Sequence, residues 1–98
     1  MEFTLTTRHF EPTDHLKERI GKDIKKLERF KRIIQHVEVI LDLDGSVRKA
    51  EIIVKTKKNL LTVRSEGYDH YLAFEDAFKK IKGQIAKLDD RIREHSGK

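Results

Sequence analysis

A chain of 98 residues with 22 Lys and Arg, 17 Asp and Glu and no Cys carries a formal charge of +5 and has room for one domain around one modest core. The missing thiols exclude disulfides, thiolate metal sites and a cysteine nucleophile, and they suit a reducing compartment. No apolar stretch approaches the roughly 20 residues of a membrane span and the first residues lack a signal-peptide pattern, so the chain reads as cytoplasmic and free of the membrane.

Phe3 and Leu5 alternate with Thr4 and Thr6, which predicts a short strand with one face toward the core. Pro12-Thr13-Asp14 breaks the chain. Thr13 is the expected N-cap and Asp14 suits the positive end of the helix dipole, so a first helix is predicted from about residue 14 to about 31. Within it, residues 16–32 hold eight Lys or Arg against three acids, a local charge of +5, so the other 81 residues sum to zero with 14 of each sign. Leu16, Ile20, Ile24, Leu27 and Phe30 recur at helical spacing and define the buried face. At 100° per residue Lys22, Lys25, Lys26 and Arg29 fall opposite it. Like charges on adjacent turns repel, so the row weakens its own helix and invites a polyanionic partner. The plainer reading is a solvated lysine face.

From Ile34 to Leu43, Val37, Val39 and Leu41 alternate with Glu38 and Asp42, the pattern of a half-buried strand closed by Asp44-Gly45-Ser46. A strand over about 48–56 turns its Ala50, Ile52 and Val54 inward. Lys57-Lys58-Asn59 connects it to a third strand with Leu61, Val63 and Ser65 on one face, so the three form an antiparallel meander. The last helix starts with Asp69 as N-cap. Tyr71, Phe74, Phe78, Ile81, Ile85, Leu88 and Ile92 give it an apolar seam about 22 residues long, expected to pack on the sheet rather than pair two chains, with its end from Leu88 overhanging the core.

The order is βαβββα: an α+β, two-layer domain with a four-stranded mixed sheet, two helices on one face and a parallel connection between the first two strands. Residues 1–94 form the single domain and 95–98 a frayed tail. On the last helix Lys80, Lys87 and Arg91 point away from the seam beside Gln84, and Lys82 lies on the same basic stretch. If the helices lie side by side, these residues join Lys22, Lys25, Lys26 and Arg29 in one phosphate-binding surface with strongly salt-dependent affinity. The open sheet face mixes Glu38, Ile40, Asp42, Glu51, Ile53, Lys55, Thr62 and Arg64, and Phe3 is expected to point inward, so the sheet is no base-stacking platform. Tyr68 and Phe10 lie in connections, as stacking candidates or as ordinary edge residues.

An enzyme is not expected. His9, His15, His36, His70 and His95 are scattered without metal-ligand spacing, most of them expected at the surface, the serines lack an elbow motif and the glycines form no phosphate loop. No cofactor, metal or small-molecule substrate is expected.

Two segments sharpen this reading: Thr13 to Phe30, with Lys26-Leu27-Glu28-Arg29-Phe30, and Glu66-Gly67-Tyr68-Asp69-His70-Tyr71 running into Lys80-Ile81-Lys82-Gly83-Gln84-Ile85-Ala86-Lys87. They resemble the ribosome hibernation-promoting factors and ribosome-associated translation inhibitors, also known as sigma-54 modulation proteins, over nearly the whole chain. The resemblance implies a protein that docks on the small ribosomal subunit and its ribosomal RNA, in the channel of messenger and transfer RNA, and blocks initiation during stationary phase or stress. Lys26, Arg29, Lys80, Gln84 and Lys87 match the family's basic pattern, and Asp69 and Tyr71 its cap and packing positions. Gly83 and Asp89 depart from it, standing where basic residues are common. Long members add a C-terminal dimerisation domain that pairs ribosomes; the chain resembles the short form or the N-terminal domain, so ribosome pairing by it alone is not expected, and it is expected to be monomeric in isolation. The alternatives are a generic double-stranded RNA-binding module and a protein-interaction module paired through the second helix.

Overall fold

Period-two alternation gives four strands, β1 (Glu2–Arg8), β2 (Ile34–Asp44), β3 (Val47–Thr56) and β4 (Leu60–Gly67), in a computed structural model that describes residues 1–96. They form one sheet in the order β1-β2-β3-β4. β1 runs parallel to β2, with Phe3 opposite Val37 and Leu5 opposite Val39, and the other two pairings are antiparallel. Gly45 supplies the positive φ of 62° that the tight β2–β3 turn demands. Thr56 and Asn59 close the β3–β4 turn: the Thr56 N–H donates to the Asn59 carbonyl at 2.9 Å, and the Asn59 N–H donates to Thr56 Oγ1 at 2.9 Å.

Two α-helices, α1 (Asp14–Lys25) and α2 (His70–Ser96), cover one face of this sheet, giving the expected βαβββα, α+β architecture. Thr13 Oγ1 accepts the Leu16 N–H at 3.1 Å and Asp69 Oδ1 the Leu72 N–H at 2.8 Å, so both expected caps are in place. The core joins Ile20, Ile24 and Leu27 to Val37, Val39 and Leu41, to Ala50, Ile52 and Val54, and to Phe74, Phe78, Ile81 and Ile85. The α2 seam is therefore spent inside the domain. Leu88 is buried, whereas Ile92 is 40% exposed, where the helix begins to outrun the sheet. The 27 residues of α2 give the domain its rod shape, 51 Å long and 20 by 17 Å across. Its helical backbone takes in His95 and Ser96, and the rest of the expected tail, Gly97 and Lys98, lies outside the described residues.

Three expectations need correction. The first helix is not a single α-helix: after Lys25 it tightens to a 3₁₀ helix over Lys26–Phe30. Leu27 and Phe30 are both buried, and three residues per turn stacks that i, i+3 pair on one line against the core. Phe3 does share the side of Val37, yet it is 37% exposed, because β1 is an edge strand with no neighbour beyond it. Of the histidines, expected mostly at the surface, His70 is an exception. It is buried, with Nε2 2.8 Å from the Asp42 carbonyl and its ring stacked on Phe10 at 3.9 Å, which fixes the start of α2 over the end of β2.

Gly67 seats the other side of that junction. A Cβ there would stand 2.7 Å from the Ala73 backbone nitrogen and 3.2 Å from the Leu72 carbonyl carbon. Because both obstacles are main chain of the first turn of α2, Gly67→Ala is expected to lower stability by about 1 to 3 kcal/mol. The midpoint of urea unfolding measures it, and an unchanged midpoint would show that α2 can ride outward freely.

Candidate nucleic-acid interface

α1 and α2 run in the same direction, which the contacts along them establish in turn. Leu16 of α1 shares a hollow with His70 and Tyr71 at the start of α2, and the Tyr71 hydroxyl donates at 2.7 Å to Asp23 Oδ2 in the last turn of α1, with the Arg19 guanidinium 3.7 Å from the centre of the Tyr71 ring. Further along, Lys26 from the first helix and Phe78, Lys79 and Lys82 from α2 line a common groove. At the far end Arg32 and Ile33 meet Leu88 and Ile92.

Lys22, Lys25, Lys26 and Arg29 are all exposed. The 3₁₀ segment alters their alignment. In an α-helix Arg29 would sit about 60° round the axis from Lys26, whereas at three residues per turn the two eclipse each other. Arg29 is thereby brought round toward the side of Lys26, with its guanidinium 4.8 Å from the centre of the Phe30 ring. Lys26 is ion-paired to Asp23 at 3.1 Å; Lys22, Lys25 and Arg29 have no ion-pair partner among the described residues.

On α2 the cations divide between two flanks. Lys82 faces α1, lining the groove with Asp23 and Lys26, and its ammonium lies 5.4 Å from the Phe78 ring centre. Lys80 lies on the flank toward β4: it pairs at 2.9 Å with Asp76, which accepts the Ser65 hydroxyl of β4 at 2.6 Å. That hydroxyl, and then Lys80, hold the Asp76 carboxyl below the usual carboxylate range. Gln84, Lys87 and Arg91 follow Lys80 at helical spacing and share its flank. Gly83 lies at the crest between the flanks, with nothing within 4 Å of where a Cβ would be. At the departure Asp89, the carboxylate pairs with Arg93 at 3.1 Å.

The groove itself is mixed in charge. Asp23, Glu75 and Asp76 line it together with Lys26, Lys79 and Lys82. Lys79 is a groove residue outside the expected set. Its side falls away from both the seam and the Lys80 stripe, so only the direction in which α1 lies on the sheet singles it out.

Tyr71 ties the helices together at this groove. Burial, followed by hydrogen bonds to Asp23 and Glu75, pushes its hydroxyl from 10.0 up to about 12. An unfolded tyrosine ionises first as pH rises through 10, while the folded one keeps its proton until about 12. Stability from this group is therefore fully present below the lower value and falls away across that interval. Thermal melts from pH 9 to 12 are expected to show a steeper decline for the parent protein than for Tyr71→Phe; parallel curves would refute the link.

The open sheet face is no basic platform among the described residues. On the open sheet face Arg64 pairs with Glu51 at 2.7 Å and Lys49 with Asp44 at 3.1 Å, around a buried Ile40. Asp42 bonds His9 at 2.9 Å, which draws its carboxyl below the ordinary range. Phe10 is committed to His70, whereas Tyr68 is 94% exposed. Among the described residues no cluster of side chains could hold a metal ion, and no helix is long and apolar enough to cross a membrane.

The sequence pattern of a family described as Sigma 54 modulation protein / S30EA ribosomal protein matches residues 3–93. The chain is 24% identical over 95 residues to the ribosome hibernation promoting factor of Escherichia coli, covering 97% of this chain and 100% of that protein. Identity to the corresponding factor of Klebsiella oxytoca is 23% over the same length and with the same coverage. The fold superposes on a ribosomal subunit interface protein from Coxiella burnetii with a TM-score of 0.83 at 17% identity, covering 92% of this chain and 99% of the other. For the Protein Y N-terminal domain of Thermus thermophilus the TM-score is 0.77 at 26% identity, with 90% and 99% covered.

Proposed function

This chain belongs to the Sigma 54 modulation protein / S30EA ribosomal protein family, and from that premise we propose that it is a non-enzymatic ribosome hibernation factor. It binds the small subunit through ribosomal RNA and occupies the path of messenger and transfer RNA, so that initiation is blocked by charge and by bulk. Residues Lys22, Lys25, Lys26 and Arg29 take phosphates along the first helix. Lys82 takes them across the groove, and Lys80, Gln84, Lys87 and Arg91 take them on the far flank of α2. The phosphate backbone straddles α2 at Gly83, where the missing side chain leaves the crest low. The family departure at this position thus trades a charge for a closer approach.

The observation that carries this reading is this set of exposed cations on two parallel helices fixed by one sheet, of which only Lys26 and Lys80 have an ion-pair partner among the described residues. The core fixes the backbone that carries these side chains, so binding needs no folding step, and each phosphate contact releases a counterion. Pelleting with small ribosomal subunits across a salt series tests it. With about five phosphates engaged, the logarithm of affinity should fall with a slope near −4 to −5 against the logarithm of salt. A flat salt dependence, or no co-sedimentation at low salt, would overturn the proposal. Free duplex RNA should bind far more weakly than the assembled subunit.

A further inference from the structure

Where α2 reaches its end, the loop after the 3₁₀ helix, the β3–β4 turn and the last turns of α2 enclose a cavity of about 330 Å³. Its charge sets it apart. The groove between the helices contains Asp23, Glu75 and Asp76, the hollow on the open sheet face Asp42 and Glu51, and the hollow at the opposite end Glu11 and Asp69. Among the described residues this one has Arg32, Lys57 and Lys58 and no acid. None of the three has an ion-pair partner among the described residues. Its remaining walls are aliphatic, from Ile33, Leu88 and Ile92. Asn59 lines the cavity as well. Its backbone is locked by Thr56 on both sides, while its side-chain amide has no hydrogen-bond partner among the described residues.

We propose that this cavity is a nucleotide site. The base lies against Leu88 and Ile33, the Asn59 amide offers a donor and an acceptor to the base edge, and Arg32, Lys57 and Lys58 hold the phosphate. The inference rests on the ribosome-binding reading and deepens it, because Arg32 continues the cation row three residues beyond Arg29. A strand laid along Lys26 and Arg29 delivers its next nucleotide, unstacked, to this end of the rod. Apolar walls with a few convergent polar groups are how an extruded base is gripped. The same chemistry would take a free nucleotide, and an acidic peptide is the competing occupant.

Two measurements decide it. Adenosine and uridine 5′-monophosphates, titrated into the full chain, are expected to shift the backbone amide resonances of Thr56–Asn59 and Leu88. The variant Lys57→Ala/Lys58→Ala/Asn59→Ala, checked for an otherwise unchanged amide spectrum, should bind about tenfold more weakly through loss of charge-assisted bonds. Ribose 5-phosphate, which lacks a base, should be weaker by a similar factor. On small subunits, ultraviolet cross-linking followed by mass spectrometry should place a nucleotide adduct within residues 56–59 or on Leu88. An adduct there identifies the RNA strand as the source, and shifts with mononucleotides alone identify a free nucleotide. Absence of both, ribose 5-phosphate binding as well as the nucleotides, or an acidic peptide shifting these amides where nucleotides do not, would overturn the site. If the chain fails to pellet with subunits the ribosome reading falls, and the mononucleotide titration still decides the cavity.

Discussion

Replacing Lys22, Lys25, Lys26 and Arg29 together by Glu is expected to abolish co-sedimentation with small ribosomal subunits while the domain stays folded. All four side chains are exposed, so their replacement removes no core packing. The fold does pay something. Lys22 and Lys25 lie in the last turn of α1, where cations suit the helix dipole, and Lys26 balances Asp23, so acids there should lower stability by about 1 to 3 kcal/mol in total. A domain of ordinary stability, about 5 to 15 kcal/mol, survives that loss. Binding does not survive, because up to four phosphate contacts become four repulsions. Each lost contact removes about one unit from the salt slope, and affinity at moderate salt should drop by about a thousandfold or more. A variant that melts cooperatively and still pellets like the parent would remove the first helix from the interface.

The strands and their antiparallel meander, both N-caps and the buried faces of both helices were legible because each depends on short-range pattern: period two with tight turns, period 3.6, and a Thr or Asp before an apolar run. The turn chemistry at Gly45 was equally local. What lay beyond the pattern was angular. Lys80 and Lys82 are neighbours in a run of basic residues, yet Lys80 turns to Asp76 and β4 while Lys82 turns to Asp23 and α1. Which flank a residue joins depends on where the second helix sits, and that is settled by tertiary contacts such as Tyr71 with Asp23. The 3₁₀ segment was hidden for a related reason, since Leu27 and Phe30 fit an α-helical stripe nearly as well as a 3₁₀ one. His70 looked like one more scattered histidine until Asp42 and Phe10, both distant in sequence, closed around it. The acid-free cavity draws its cations from residues 32, 57 and 58, which no single helix or strand pattern brings together.

Phe74→Ala is expected to be the most damaging single substitution in the core, and it shows why the two cation flanks depend on the packing beneath them. Phe74 is fully buried, with its ring 5.4 Å from that of Phe78 and 6.1 Å from that of Tyr71. Truncation removes the aromatic surface and leaves a cavity walled by sheet and helices, for a loss of about 3 to 5 kcal/mol. Phe78→Leu keeps most of the volume and should cost less than about 1.5 kcal/mol. Urea unfolding midpoints measure both, and a loss near or below 1 kcal/mol for Phe74→Ala would mean that α2 is seated some other way. Ribosome binding by Phe74→Ala should weaken in proportion to the unfolded fraction, so cooling or a stabilising osmolyte should restore it with an unchanged salt slope. The charge-reversal variant should not be rescued by either treatment, because its fold is intact and its phosphate contacts are gone. The two failures therefore separate cleanly: one removes the scaffold that aligns the cations, and the other removes the cations from an intact scaffold.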